Sequence, residues 1–572
     1  MAPWPLPQQY QQGSSVLWLS PDVKYLYSSA QVAPAEFEKY WEGQKIQTSG
    51  PDPAAGYPQT KLPISPDTAE KIVQSAFKRM KADVFSDRFV PEIFHPIDTE
   101  FEPKLEASKV YIQQIVIEEQ RVESHHTVSN EAYSLDISNE GEAVIKATSS
   151  HGALRALQTL SQLFYAHSDV EGDVYTPYAP VSIKDSPYFE HRGLNLDISR
   201  NRISPADVMR TLDAMGFNKF NRLHLHASDA QSWPLEIPAL PDLARKGAYH
   251  KSQIWSVANL KEVLEHGASW GIQVYIEIDM PGHTASIYHS YPDLITAYDQ
   301  RPWKPYACEP PSGQLQLNSD KVTSFLSTLF DDLLPRVSPY STYFHVGGDE
   351  INSNAYALDP TVNSSSKDVI RPYLQSFFER AMGNAISHSL SPVVWEEPLV
   401  RWDLDLPKSA IIQSWRSQAS LAAIVAKGHR ALFGPCTHWY LDCGFGDWMD
   451  PDPSKADSSV KPPYLDWCSP YKNWKQVYSY DPLEGVPDEH KYLVIGGEVH
   501  LWGELTDSVN LDGMLWPRAA AAAEILWRGK STLSEDTTRR LAEMRERLLR
   551  RGIRAFMVQM EWSLRNPGGS LM

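Results

Sequence analysis

Cysteine is scarce: the 572-residue chain has four, Cys308, Cys436, Cys443 and Cys468. Four is too few for a disulfide scaffold, and their spacing matches no zinc site. Positive charge is also short. Lys and Arg number 53 against 71 Asp and Glu, a net charge of −18. That balance argues against nucleic acid or an anionic membrane surface as a partner. No apolar run approaches the roughly 18 residues of a membrane-spanning helix. Met1 to Val16 contains no Lys, no Arg and no apolar core, so it does not read as a signal peptide.

Aromatic residues and proline are abundant, with 18 Trp, 27 Tyr, 18 Phe and 43 Pro. So many rings exclude disorder as a global description. They suit a loop-rich globular protein with many flat apolar side chains, some carrying a polar handle. The sequon Asn363-Ser364-Ser365 marks Asn363 as a glycosylation acceptor and hints at secretion.

Residues 1–13 read as a disordered tail. Residues 14–184 read as an α+β module with its connector. Strand character recurs at Val110–Ile117, Ser134–Ile137 and Ala143–Ala147, and Ser150–Phe164 is amphipathic at helical period. The Pro- and Asp-rich stretch Ser168–Tyr188 carries the boundary.

From there to about residue 560 eight short β-rich segments recur, most separated by helical stretches. They are Leu194–Ser199, Arg222–Ser228, Gln273–Met280, Tyr343–Glu350, Pro392–Glu397, Ala410–Trp415, Arg430–Pro435 and Val494–Glu504. Ser204-Pro205 and Ser256 are helix-start signals between them. This alternation predicts a parallel (β/α)8 barrel over residues 185–560, with an open doubly wound sheet as the alternative. Residues 561–572 remain as a C-terminal tail.

In a barrel of this kind the active site lies at the C-terminal ends of the strands. Those ends carry Asp229, Asp279 and His283, Asp349-Glu350, Trp395, Trp415, Tyr440 with Asp442, and Trp502 with Glu504. Adjacent carboxylates in one cleft cannot both ionise freely, which suits a protonated acid beside a charged partner. The glycines of Phe344-His-Val-Gly-Gly allow the unusual backbone such a pair needs. Flat rings beside hydrogen-bond acceptors fit a sugar ring and its hydroxyls. His283 reads as a hydrogen-bonding support for the acid, helped by Asp229. A metal-ligand reading with Glu277 and Asp279 is weaker, because no matching set of His and carboxylate occurs elsewhere. Arg192, just before the first strand, has the planar fork to hold two sugar hydroxyls. Asp197 and Arg200 read as a structural pair.

Seven motifs together resemble glycoside hydrolase family 20, the β-N-acetylhexosaminidases, and secreted fungal members in particular. They are HRGLNLDISR (191–200), HLHASDAQSWPLEIPALP (224–241), EIDMPGHTAS (277–286), HVGGDEIN (345–352), VVWEE (393–397), WYLDCG (439–444) and GGEVHLWGE (496–504). The likeness covers about residues 15–560 and extends to a small, zincin-like, non-catalytic N-terminal domain.

The resemblance implies an exo-acting enzyme that removes terminal non-reducing GlcNAc, with GalNAc a second candidate, from chitooligosaccharides or glycans. It implies retention through an oxazolinium intermediate formed by the substrate's own acetamido group. Glu350 would be the acid and then the base. Asp349 would orient the acetamido group, and Tyr440 would donate to its oxygen. Trp395, Trp415 and Trp502 would wall its pocket, and Arg192, Asp442 and Glu504 would grip the hydroxyls. Asp229 and His283 would support Glu350. No metal and no cofactor is implied. A Cys443–Cys468 disulfide, a homodimer and secretion are. Cys308 would be free or paired with Cys436. Two competing functions use the same residues: a retaining β-glycosidase with a carboxylate nucleophile, and an inactive sugar-binding protein on a hydrolase scaffold.

Overall fold

The computed structural model describes residues 1–31, 66–105, 108–121, 131–451 and 460–571. Parts of the expected 14–184 module, and Met572, lie outside the described residues.

The N-terminal sheet contains β1 (Gln9–Gln31), β2 (Tyr111–Arg121), β3 (Tyr133–Ile137), β4 (Ala143–Ala147), β5 (Tyr165–Ala166) and β6 (Val174–Asp185), in the order β1-β2-β4-β3-β6-β5. β1 also pairs with β6, antiparallel from Gln9 to Leu19, and runs parallel to β2 beyond Trp18. The helices Pro66–Phe85 and Ser150–Ser161 pack together against this sheet. The Ser149 side chain caps the second of them by accepting from Gly152 N at 3.2 Å.

The barrel strands are β7 (His191–Asp197), β8 (Arg222–His226), β9 (Gln273–Glu277), β12 (Tyr343–His345), β13 (Ser391–Trp395), β14 (Ile411–Ser414), β15 (Arg430–Phe433) and β16 (Val494–Leu501). The short pair β10 (Ile295–Thr296) and β11 (Gln314–Leu315) stands apart. The sheet closes because β16 pairs with β7 in parallel, Gly496–Leu501 against His191–Leu196. These strands are buried almost throughout, as a parallel sheet jacketed by helices requires. Both helix-start signals act as read. Ser204 and Ser256 each form a capping box, and Pro205 opens its helix.

Three expectations change. Residues 1–13 are not a loose tail. Trp4 is buried, its indole N–H donates to Ala520 O at 3.0 Å, and its backbone N–H donates to the Gln162 side chain at 2.8 Å. Its large apolar surface finds a slot between the two domains. The C-terminal stretch opens with a short helix, Glu561–Arg565, docked through buried Leu564.

The third is Arg192, which lies at the N-terminal end of β7, on the barrel's floor. Its guanidinium bonds Glu131 of the N-terminal domain and donates to Lys219 O and Phe189 O, both at 2.9 Å, with its face over Trp527. Glu131 also accepts from Arg155 at 2.7 Å. The fork of Arg192 is fully used in fastening one domain to the other, so it does not hold sugar.

Candidate active site

The opposite end of the barrel gathers the other expected residues. After β12 the chain passes Gly347 and Gly348, both at positive φ, to reach Asp349-Glu350. A Cβ on Gly347 would lie 1.7 Å from Asp279 Oδ1, so glycine is required there. Gly348 N–H donates to that same oxygen at 3.0 Å. Glu350 and His283 themselves adopt left-handed φ values of 49° and 55°. Two non-glycine residues in this region, side by side in one cleft, are strain of the kind that collects at functional sites.

His283 Nδ1 is 3.1 Å from Asp229 Oδ1, and its Nε2 is 3.4 Å from Glu350 Oε2 and 3.8 Å from Asp349 Oδ2. Burial disfavours charge on this ring, but Asp229 and Asp349 outweigh it and hold the imidazole well above its usual range. Asp229 is held well below the carboxylate range: its burial is overcome by Arg200, His283 and His226. The acid pair divides in a direction the sequence does not give. Burial and the neighbouring Asp279 push Asp349 up, whereas contacts from His283 overcome the burial of Glu350 and hold it down. In the unliganded protein Asp349 is therefore the carboxyl of the pair that more readily holds a proton.

Beside the pair stands an aromatic box. Trp395 N–H donates to Gly347 O at 3.0 Å, and the Trp395 indole donates to Glu277 at 2.7 Å. Trp415 stacks on Tyr440 with ring centres 6.1 Å apart, and Trp502 lies 6.0 Å from Trp395. The indole of Trp415 donates to buried Glu397 at 3.2 Å. Burial, reinforced by Asp349, pushes the Glu397 carboxyl up to about 8. The Cys443–Cys468 disulfide packs against the box; Cys308 and Cys436 are free thiols.

On the far side of the cleft is Arg200. Its guanidinium reaches Asp197 and Asp229 at 3.0 Å, Glu309 at 2.7 Å and Glu504 at 3.8 Å, and lies over the Trp502 ring. Burial pushes Glu504 up to about 8 and Asp442 up to about 6. Asp442 also accepts from Trp502 N at 3.3 Å. The acids and histidines here are dense enough to suggest a cation, but Arg200 already supplies the positive charge among Asp229, Glu309 and Glu504. Cys308 shares a small recess with His283, Glu309 and Glu350.

The structure thus brings together Glu350, Asp349, Tyr440, Asp229, His283, Trp395, Trp415, Asp442, Trp502 and Glu504, and leaves out Arg192. Sequence reasoning missed Arg200 and Glu309. The signal for Arg200 was available, because it follows β7 at the C-terminal end that the barrel rule marks. Glu309 lies on a long loop and gave none.

A closed parallel barrel with a carboxylate pair, an aromatic box and a charged rim at the C-terminal ends of its strands has the make-up of a glycoside hydrolase. Residues 189–530 match the family described as glycosyl hydrolase family 20, catalytic domain, and residues 3–163 match one described as beta-acetyl hexosaminidase like. The chain belongs to glycosyl hydrolase family 20 and is an enzyme of that class. A beta-hexosaminidase of Arthroderma benhamiae is 44% identical over 99% of this chain and 96% of its own length. A chitooligosaccharidolytic beta-N-acetylglucosaminidase of Ostrinia furnacalis is 32% identical over 84% of this chain and 82% of its own. The same fold recurs in the family 20 exo beta-N-acetylglucosaminidase of Vibrio harveyi in complex with N-acetylglucosamine. That structure has a TM-score of 0.72 at 20% identity, covering 97% of this chain and 78% of the other.

Proposed function

We propose that the protein is an exo-β-N-acetylhexosaminidase that removes terminal GlcNAc from chitooligosaccharides or glycans with retention. The observation that carries this reading is the aromatic box set directly against Asp349-Glu350, with Trp395 bonded to the Gly347 carbonyl. Such a box encloses a methyl group and turns a 2-acetamido group beneath the sugar ring. The acetamido oxygen attacks the anomeric carbon, the glycosidic C–O bond breaks, and Glu350 protonates the departing oxygen. Water then opens the oxazolinium ring with Glu350 as base. Intramolecular attack has a high effective molarity, so no carboxylate nucleophile is needed.

Asp349 accepts from the acetamido N–H. That contact favours the ionised form of Asp349, and the negative charge so formed beside Glu350 helps Glu350 hold the proton that the chemistry uses. Tyr440 donates to the acetamido oxygen as charge develops. Arg200, Asp442 and Glu504 hold the terminal sugar's hydroxyls, with Arg200 in the place expected of Arg192. Exposed Trp467, edge-on to both Trp415 and Tyr440, offers a face to a following sugar.

A homodimer, secretion and a glycan on exposed Asn363 belong to the same reading. The test is release of p-nitrophenol from the β-GlcNAc glycoside beside the β-glucoside, using wild type and Glu350→Gln. Turnover of the GlcNAc compound alone, lost in Glu350→Gln, is the expected outcome. Equal cleavage of both sugars sinks substrate assistance. Binding of GlcNAc without turnover favours an inactive scaffold.

A further inference from the structure

The barrel interior is polar where a barrel of this size is usually filled with branched apolar side chains. From the mouth inward, alternating acid and imidazole groups run without a break. Glu350 meets His283 at 3.4 Å, and His283 meets Asp229 at 3.1 Å. Asp229 Oδ2 is 2.7 Å from His226 Nε2, and His226 Nδ1 is 2.5 Å from Glu277 Oε2. Glu277 continues to His224 at 3.0 Å, and His224 to Glu498 at 3.1 Å. His226, Glu277, His224 and Glu498 are buried. No step of the proposed chemistry touches them, and burying so many ionisable groups is costly unless they are paired.

Both ring nitrogens of His226 face carboxylates, so both donate and the ring carries a charge. Glu277 faces His226 and His224 with one oxygen, and His345 and the Trp395 indole with the other. One buried carboxylate thus fixes both the support of the acid and a wall of the acetamido pocket.

We propose that His226 and Glu277 are positioning residues for the acid pair, in which the buried chain Glu350–His283–Asp229–His226–Glu277 sets the field that governs how readily the pair gives up its last proton. The proposal rests on Glu350 being the acid.

Other charges also face this chain. Tyr275, Asp279, His345, Glu498 and His500 line the interior around Glu277. Arg200, Cys308, Arg416 and Glu309 flank the mouth, and Asp349 faces both Glu277 and Glu350. None of these lies between Asp229 and Glu277, so His226 is the one positive link there.

His226→Gln removes that charge and leaves Glu277 negative. Glu277→Gln removes the anion that keeps the second proton on His226, while its amide oxygen still accepts from Trp395. Glu277 also acts on Asp349 directly, so the loss of its own negative charge opposes the loss of the His226 proton in that variant. His226→Gln therefore leaves the pair in a more negative field and makes its last proton harder to remove, whereas in Glu277→Gln the two effects oppose and the net change is smaller.

The experiment is the pH dependence of kcat/KM on the β-GlcNAc p-nitrophenyl glycoside for both variants and wild type, each checked for a cooperative melt. The alkaline limb is expected to move to higher pH, by about 0.5 or more in His226→Gln and by less in Glu277→Gln. A purely structural role lowers rate or Tm without moving the limb. A limb within about 0.2 of wild type in folded His226→Gln, or in His226→Asn should the first not fold, overturns the proposal. Glu350→Gln in the same assay separates the two readings. Retained activity there defeats the assignment of the acid, whereas a lost activity with an unmoved limb defeats only the chain.

Discussion

At the scale of single residues, the two arginines near the ends of β7 give the sharpest contrast. Arg192 is the second residue of β7 and Arg200 lies three residues past its end, and at about 3.3 Å per residue the strand from Arg192 to Asp197 spans roughly 17 Å. Arg192 is spent on Glu131 and three backbone carbonyls beneath the barrel, whereas Arg200 stands among Asp229, Glu309 and Glu504 at its mouth. Substituting each with Lys should separate the roles. Arg200→Lys keeps charge but loses the planar fork, so kcat/KM should fall by ~100-fold or more, about 3 kcal/mol. Arg192→Lys should leave KM near wild type and lower stability, because a buried carboxylate loses part of its pairing. Equal KM effects from the two would undo the assignment.

At the scale of elements, the insertion after β15 carries Tyr440 and Asp442 but has little regular structure of its own. The disulfide Cys443–Cys468 closes it across a sequence separation of 25. Closing such a loop is worth about 3 kcal/mol. The double variant Cys443→Ser, Cys468→Ser should therefore melt lower. Its KM should rise and its kcat should fall together, because Asp442 holds the sugar's hydroxyls while Tyr440 donates to the acetamido oxygen as charge develops. A KM equal to wild type would mean that the insertion is held by its aromatic packing alone.

The sequence showed this scale unevenly. The barrel strands were legible because each is a short apolar run between helix signals, and Ser204 and Ser256 act locally, through bonds to residues three positions on. β1 was not legible. Its Gln- and Ser-rich first half gives no clear alternation, and its two partners, β6 and β2, lie far along the chain. The pairing that makes it a strand is long-range, as are the slot that receives Trp4 and the Arg200–Glu309 contact. The acid pair was legible as a pair, but which carboxyl keeps the proton depends on His283 and Asp279, which only the folded backbone brings in.

At the scale of the whole molecule, none of the described residues of the N-terminal domain stands in the cleft, yet that domain supplies the carboxylate on which the barrel floor depends. Burial alone would raise the carboxyl of Glu131. Arg192 and Arg155 outweigh it and hold the carboxyl down to about 2, against an ordinary value of 4.5. A carboxylate depressed on folding adds stability that is fully present above its unfolded value and is lost as pH falls through the folded one. The window is therefore pH 4.5 down to about 2, and the contribution is about 3 kcal/mol. Glu131→Gln should be less stable than wild type at pH 6 by that amount or more, since it also leaves two buried guanidinium groups short of an anion. As pH falls through the window the two proteins should converge, because wild type loses the ionised carboxylate that the variant never had. Denaturant unfolding at pH 6 and pH 3 measures both gaps. A gap that stays constant would mean that Glu131 holds the domains by shape and hydrogen bonding, with its charge contributing nothing to their docking.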